Sequence, residues 1–196
     1  MTRQFDVLPW RHDQPCLTVA SRAPTSPGSP PSTLPRRADI ARITRTTELP
    51  GPISAAEELW YDLHRRASFV EGFGHLVKVD GDWPRAGSRV LWDAPPRGRG
   101  RVVETVDAFE ARTGQTVHVE DEHLRGSQTV TFSPGTGGGV KVTVALDVKR
   151  KEGNPVSDWL FVRRRVGEAL RRTLVKYRIE RLADLDDERT FGNGAP

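Results

Sequence analysis

Cysteine is almost absent: Cys16 is the only one in 196 residues. A disulfide framework and a cysteine-built zinc site are therefore both excluded, and a reducing, cytoplasmic setting is the expectation. Long apolar runs are missing as well. No stretch approaches the roughly 18 consecutive apolar residues that a membrane helix needs, so no span is expected. The opening Met1-Thr2-Arg3-Gln4-Phe5-Asp6 places charges where a secretory signal would carry its apolar core, so none is expected. Lysine is scarce, with 5 of the 30 basic residues against 25 arginines, and the net charge is only +4. That excess falls well short of a dedicated nucleic-acid binder, so nucleic acid is disfavoured as a partner. What remains is a polar chain, 36% hydrophobic with a mean hydropathy of -0.55, that can still build one core.

Residues 1–38 hold seven of the 15 prolines, and Ser21–Pro35 is nearly all Ser, Pro, Thr, Ala and Gly. Such a composition cannot bury enough surface to offset its ordering entropy, and it reads as a disordered leader. Phe5, Val7, Leu8 and Trp10 form a short apolar patch within it. From Asp39 the patterning becomes regular. Ala41–Leu49 is rich in β-branched residues and stops at Pro50-Gly51-Pro52, which predicts a strand and a turn. Ser54 and Glu57 have the spacing of a capping box. Behind them Ala56, Leu59, Trp60, Leu63, Ala67 and Val70 recur at helical steps up to Gly72, leaving Asp62, Arg65 and Arg66 toward water.

Six strands follow by alternation and turn chemistry, at His75–Val79, Ser88–Asp93, Arg101–Ala111, Gln115–Glu122, Ser127–Ser133 and Val140–Lys149. In the last of these Val140, Val142, Val144, Leu146 and Val148 face one way and Lys141, Thr143, Asp147 and Lys149 the other, as in an antiparallel sheet wet on one side. A long helix closes the chain from Pro155 to about Ala183. Its apolar stripe holds Trp159, Val162, Val166, Ala169, Leu170, Leu174 and Tyr177. Between Val156 and Leu182 eight basic residues face three acidic ones. Residues 186–196 read as a flexible tail.

Catalytic signatures are sparse. His12, His64, His75, His118 and His123 show no metal-ligand spacing, and neither metal nor cofactor is expected. His118 alternates with Val117 and Val119 and so points outward. Glu104, Asp107, Glu110, Glu120, Asp121 and Glu122 offer carboxylates for acid–base work, but a solvated face is the better reading. No nucleophile elbow occurs. Gly135–Lys141 lacks the Gly-Lys-Ser/Thr ending of a phosphate loop and reads as a hairpin turn. Arg97-Gly98-Arg99-Gly100-Arg101 reads as a solvated turn, with a nucleic-acid-reaching arm as the alternative.

The order strand, broken helix, meander, long helix resembles the helix-grip fold of the START-like (SRPBCC) superfamily, which includes polyketide cyclases and lipid-transfer domains. The resemblance rests on Ile43-Thr44-Arg45-Thr46 leading to Pro50, Ala56–Leu63, Gly100–Glu104, Gly126–Phe132, Gly138–Thr143 and the terminal helix. It implies an α+β domain over residues 39–185, a curved antiparallel sheet around one helix, with a hydrophobic small molecule held between them. Trp92, Phe109, Phe132, Trp159, Arg163, Val166, Leu170, Thr173 and Tyr177 are the candidate cavity residues, Arg163 and Thr173 being the polar exceptions on the helix's inward stripe. Binding of an apolar ligand without covalent chemistry is the leading function. A cyclase- or dehydratase-like enzyme is the alternative, and a basic nucleic-acid or protein interaction module is the second. No catalytic residue can be named.

Overall fold

The computed structural model describes residues 40–151 and 155–192. The leader and its apolar patch lie outside the described residues. Among the described residues seven strands form a single antiparallel sheet: β1 (Ala41–Leu49), β2 (His75–Asp80), β3 (Arg89–Asp93), β4 (Arg101–Glu110), β5 (Gly114–Glu120), β6 (Leu124–Pro134) and β7 (Val140–Arg150). Their order across the sheet is β1-β7-β6-β5-β4-β3-β2. Strands β2 to β7 are a plain meander, and only β1 crosses to pair with the last strand. Between β1 and β2 stand two short helices, α1 (Ile53–Tyr61) and α2 (Arg66–Phe69); α3 (Pro155–Gly192) ends the chain.

Alternation sets the sheet's inner face. One row of paired residues runs Val106, Val117, Gln128, Leu146, Ile43 across five strands. The next runs Val90, Glu104, Val119, Gly126, Val148, Ala41. Strict alternation along β4 would send Phe109 outward, opposite to Val102, Glu104 and Val106. A bulge between Val106 and Ala108 inserts one residue and pairs Phe109 with inward-facing Gln115. The irregularity thus turns Phe109 back to the interior.

Helix α3 buries Leu170, Thr173, Leu174 and Tyr177, a stripe at three- and four-residue steps. Gly167 faces β1, where a Cβ would stand 3.3 Å from the Arg45 guanidinium and in ordinary contact, 3.7 Å, with the Ile43 side chain. Tyr177 is fully buried and donates its hydroxyl to the Ala56 carbonyl of α1. Its ring meets Trp60 edge-on and Phe69 at a tilt, both at 5.2 Å, so one aromatic trio joins all three helices. These residues, with the inner faces of β1, β6 and β7, form the larger apolar cluster. A second cluster joins Phe73 to the inner faces of β3, β4 and β5.

Three expectations need correction here. The capping box does not form: Pro52 stands at the N-cap of α1 without a side-chain cap. Glu57 instead accepts the Arg112 N–H at 2.5 Å, holding the β4–β5 turn, where Arg112 takes a φ of +64°. The helical stripe after Pro52 is split at Asp62–Arg65, and the Asp62 carboxylate bonds the amides of His64 and Arg65 in that break. Finally, α3 runs on to Gly192, through residues expected to form a tail. Among the described residues no helix is long and apolar enough to cross a membrane.

Candidate functional site

The inner face carries a buried ion pair that the sequence reading had placed in water. Arg66 and Glu104 are 3% and 6% exposed. Arg66 Nη1 donates to Glu104 Oε2 at 2.7 Å, and Trp92 Nε1 donates to Glu104 Oε1 at 2.9 Å. Both carboxylate oxygens are thereby occupied, which a buried charge requires. The Arg66 guanidinium also lies 5.0 Å from the Trp83 ring centre, within cation–π range. Trp83 in turn donates its Nε1 to the Tyr61 carbonyl at 2.9 Å.

Tyr61 stands at the end of α1 among aromatic rings from three other parts of the chain. Its ring centre is 5.4 Å from Phe109, 6.1 Å from Phe132 and 6.4 Å from Trp83, all edge-on. The Tyr61 hydroxyl and the Arg66 Nε are both buried without a hydrogen-bond partner among the described residues. Burial raises the Tyr61 phenol well above its ordinary range, the Glu57 carboxylate adds to the rise, and Arg66 opposes it. The hydroxyl therefore keeps its proton at neutral pH. Glu57 itself is raised, chiefly by burial, against the lowering pull of the Arg112 amide.

The expected cavity residues fall into distinct settings. Trp92, Phe132, Leu170, Thr173 and Tyr177 are buried, while Phe109 and Val166 are partly buried against the two clusters. The Thr173 hydroxyl is committed to the Glu71 amide at 2.9 Å. Arg163 is exposed on α3. The side chain of Trp159 lies outside the described residues. A groove of about 410 Å³ opens elsewhere, between α1 and the end of α3, lined by Glu58, Asp62, Arg65, Arg181, Asp184, Asp187 and Glu188 among others. Its charged walls suit water better than an apolar ligand.

Arg66, Glu104 and Tyr61 were missed, although two of them left a signal. Glu104 alternates in phase with Val102 and Val106, which is the inward phase of β4. Arg66 falls three residues after Leu63, on the apolar stripe itself. Asp121 is likewise buried and not solvated; it accepts the amides of His123 and Leu124 and the Arg99 guanidinium at 2.6–2.7 Å. That bond and the Arg101–Asp93 pair tie down two arginines of the Arg97–Arg101 run, so it is no free arm. The described histidines, His64, His75, His118 and His123, are exposed. Among the described residues no group of three or more His, Cys, Asp or Glu is placed to hold a metal ion.

No protein-family model matches the sequence, and no curated protein does. Solved structures do match. Ara h 8.0201 is 16% identical, with a TM-score of 0.60 over 74% of this chain and 99% of that one. A START superfamily protein from Mycobacterium smegmatis is 17% identical, with a TM-score of 0.58 over 74% and 98%. TTHA0849 from Thermus thermophilus is 20% identical, at 0.59 over 73% and 98%. Identities this low speak for the fold alone, and the fold they speak for is the one whose element order the sequence resembles: the described residues take the helix-grip fold of these structures.

Proposed function

We propose that this protein binds an apolar small molecule between the inner face of its sheet and α3, with the Arg66–Glu104–Tyr61 cluster orienting the one polar end of that ligand. The observation that carries the reading is that two of the four orphaned buried polar atoms among the described residues meet around Trp83: Tyr61 Oη, on a ring that also meets Phe109 and Phe132, and Arg66 Nε, on a guanidinium over the Trp83 ring. A buried donor left unpaired costs about 1–3 kcal/mol, so a folded chain that keeps two around the Trp83 ring gains from a partner that satisfies them. The chemistry of the cluster selects that partner. Arg66 and Glu104 cancel each other's charge, and the remaining groups are one N–H donor and one hydroxyl. They suit a neutral oxygen, a carbonyl or a hydroxyl, on an otherwise apolar molecule.

Binding without covalent chemistry is favoured over a cyclase-like reaction because the acid–base groups are already engaged. Glu104 is held by two donors, and Tyr61 retains its proton far above neutral pH. The test is Tyr61→Phe, which removes the hydroxyl and keeps the ring. Organic extraction of the purified native protein, followed by mass spectrometry, is expected to yield an oxygen-bearing apolar compound. Its affinity for the variant should fall about 5–50-fold, equivalent to one buried hydrogen bond of roughly 1–2 kcal/mol. The melting temperature of the ligand-free variant should hold or rise, since an unsatisfied group is gone. Unchanged ligand affinity in Tyr61→Phe would count against the orienting role.

A further inference from the structure

The solvent side of α3 is not uniformly polar. Val175, Ile179 and Leu182 are 48%, 59% and 43% exposed, and their four- and three-residue spacing puts them on one line along the helix. The line continues in both directions at the same steps, through Arg171 and Glu168 toward the N-terminus and through Asp186 and Arg189 toward the C-terminus. Seven positions thus recur every 3.5 residues over 168–189, the repeat of a coiled-coil seam. Among the described residues the end charges pair along their own helix, Arg171 with Glu168 at 2.7 Å and Arg189 with Asp186 at 3.6 Å.

We propose that this seam is the interface of an antiparallel homodimer. Charge order is what commits it to a second copy in that direction. With Val175 set against the second copy's Leu182, Arg171 falls opposite Asp186 and Glu168 opposite Arg189, and Ile179 meets its own counterpart at the two-fold axis. Every charged position then faces its opposite, twice over. A parallel pair would set each charge against its own kind, which costs free energy. The helix as a whole repeats the pattern: residues 163–178 carry seven basic and one acidic side chain, residues 179–189 two basic and five acidic. The acidic half also argues against an anionic membrane or nucleic acid as the occupant. The seam is about 30 Å long and 10 Å wide, which is small for a stable interface, so the dimer is weak, with a Kd on the order of 10 μM. The proposal stands apart from ligand binding, because none of these seven side chains faces the sheet.

Sedimentation equilibrium of the full chain at low salt, from about 1 to 200 μM, is the test. A monomer–dimer equilibrium is expected, weakening about tenfold or more as salt rises through the physiological range. Ile179→Asp should be monomeric with an unchanged melting temperature, since that side chain is mostly in solvent. Arg171→Glu alone and Asp186→Arg alone should each be monomeric, because each sets like charges face to face. An equimolar mixture of those two variants should dimerise again, and so should the double variant Arg171→Glu/Asp186→Arg by itself. A wild type that stays monomeric throughout would overturn the proposal, as would a dimer indifferent to Ile179→Asp or a mixture that fails to reassociate. Monomers that instead bind anionic vesicles through this face would overturn it too.

Discussion

At the scale of single residues, the interior is organised around one carboxylate. Glu104 is inward because β4 alternates, and it survives there because Arg66 and Trp92 occupy both of its oxygens. Removing one partner of a buried pair leaves the other charge uncompensated. Glu104→Gln is therefore expected to cost about 3–5 kcal/mol in urea denaturation, whereas the double replacement Arg66→Met/Glu104→Leu should recover most of that loss. A single variant as stable as the parent would show that the pair is not desolvated as described. Glu104 was legible in the sequence in its phase along β4. Its companion Arg66 also stood on the apolar stripe, three residues after Leu63. What periodicity could not show was the break at Asp62–Arg65, nor that a buried carboxylate waits on β4 to pair with a charge on that stripe. Phe109 taught the converse lesson, for it belonged to the interior only because a bulge corrects its phase, and a bulge leaves no mark in alternation.

At the scale of elements, strand positions and the partition of β7 into wet and dry faces followed from alternation, because a period of two survives small errors in boundaries. Tyr177 was assigned to the inward stripe of α3, yet periodicity could not tell a cavity wall from a core anchor; its hydroxyl on the Ala56 carbonyl and its contacts with Trp60 and Phe69 make it an anchor. The segment after α2 is tied to α3 by Glu71, whose amide bonds Thr173 and whose carboxylate meets Lys176 at 2.7 Å and Arg172 at 3.4 Å. The Lys176 bond, chiefly, holds the Glu71 carboxyl below its usual 4.5, against a rise from burial. A lowered folded-state value stabilises the fold above about pH 4.5 and loses that contribution as pH falls through it. The effect is at most about 1 kcal/mol, because these groups are partly in solvent. Wild type should accordingly lose more stability than Glu71→Gln between pH 5 and about pH 3, as followed by thermal melts. Parallel pH curves for the two proteins would remove Glu71 from the α2–α3 contact.

At the scale of the whole molecule, a seven-stranded sheet holds one long helix that serves two faces. The inner stripe of α3 completes the larger apolar cluster against β1, β6, β7 and α1, while strands β3 to β5 carry a cluster of their own around Phe73 and Trp92. Tyr61, Arg66 and Glu104 bring α1, α2 and β4 together on the inner face, and the proposed ligand lies along that face. Val166 is the position at which to test this, since it is only partly buried where α3 packs on the larger cluster. The most direct measurement is a titration of wild type and Val166→Phe with an environment-sensitive apolar fluorophore, with melting curves of both proteins recorded alongside. Space for a ligand predicts saturable binding by wild type, at least tenfold weaker in the variant, with stability held or raised as the new ring fills the gap. No saturable binding by wild type, together with a loss of about 1–3 kcal/mol in Val166→Phe from overpacking, would contradict the account.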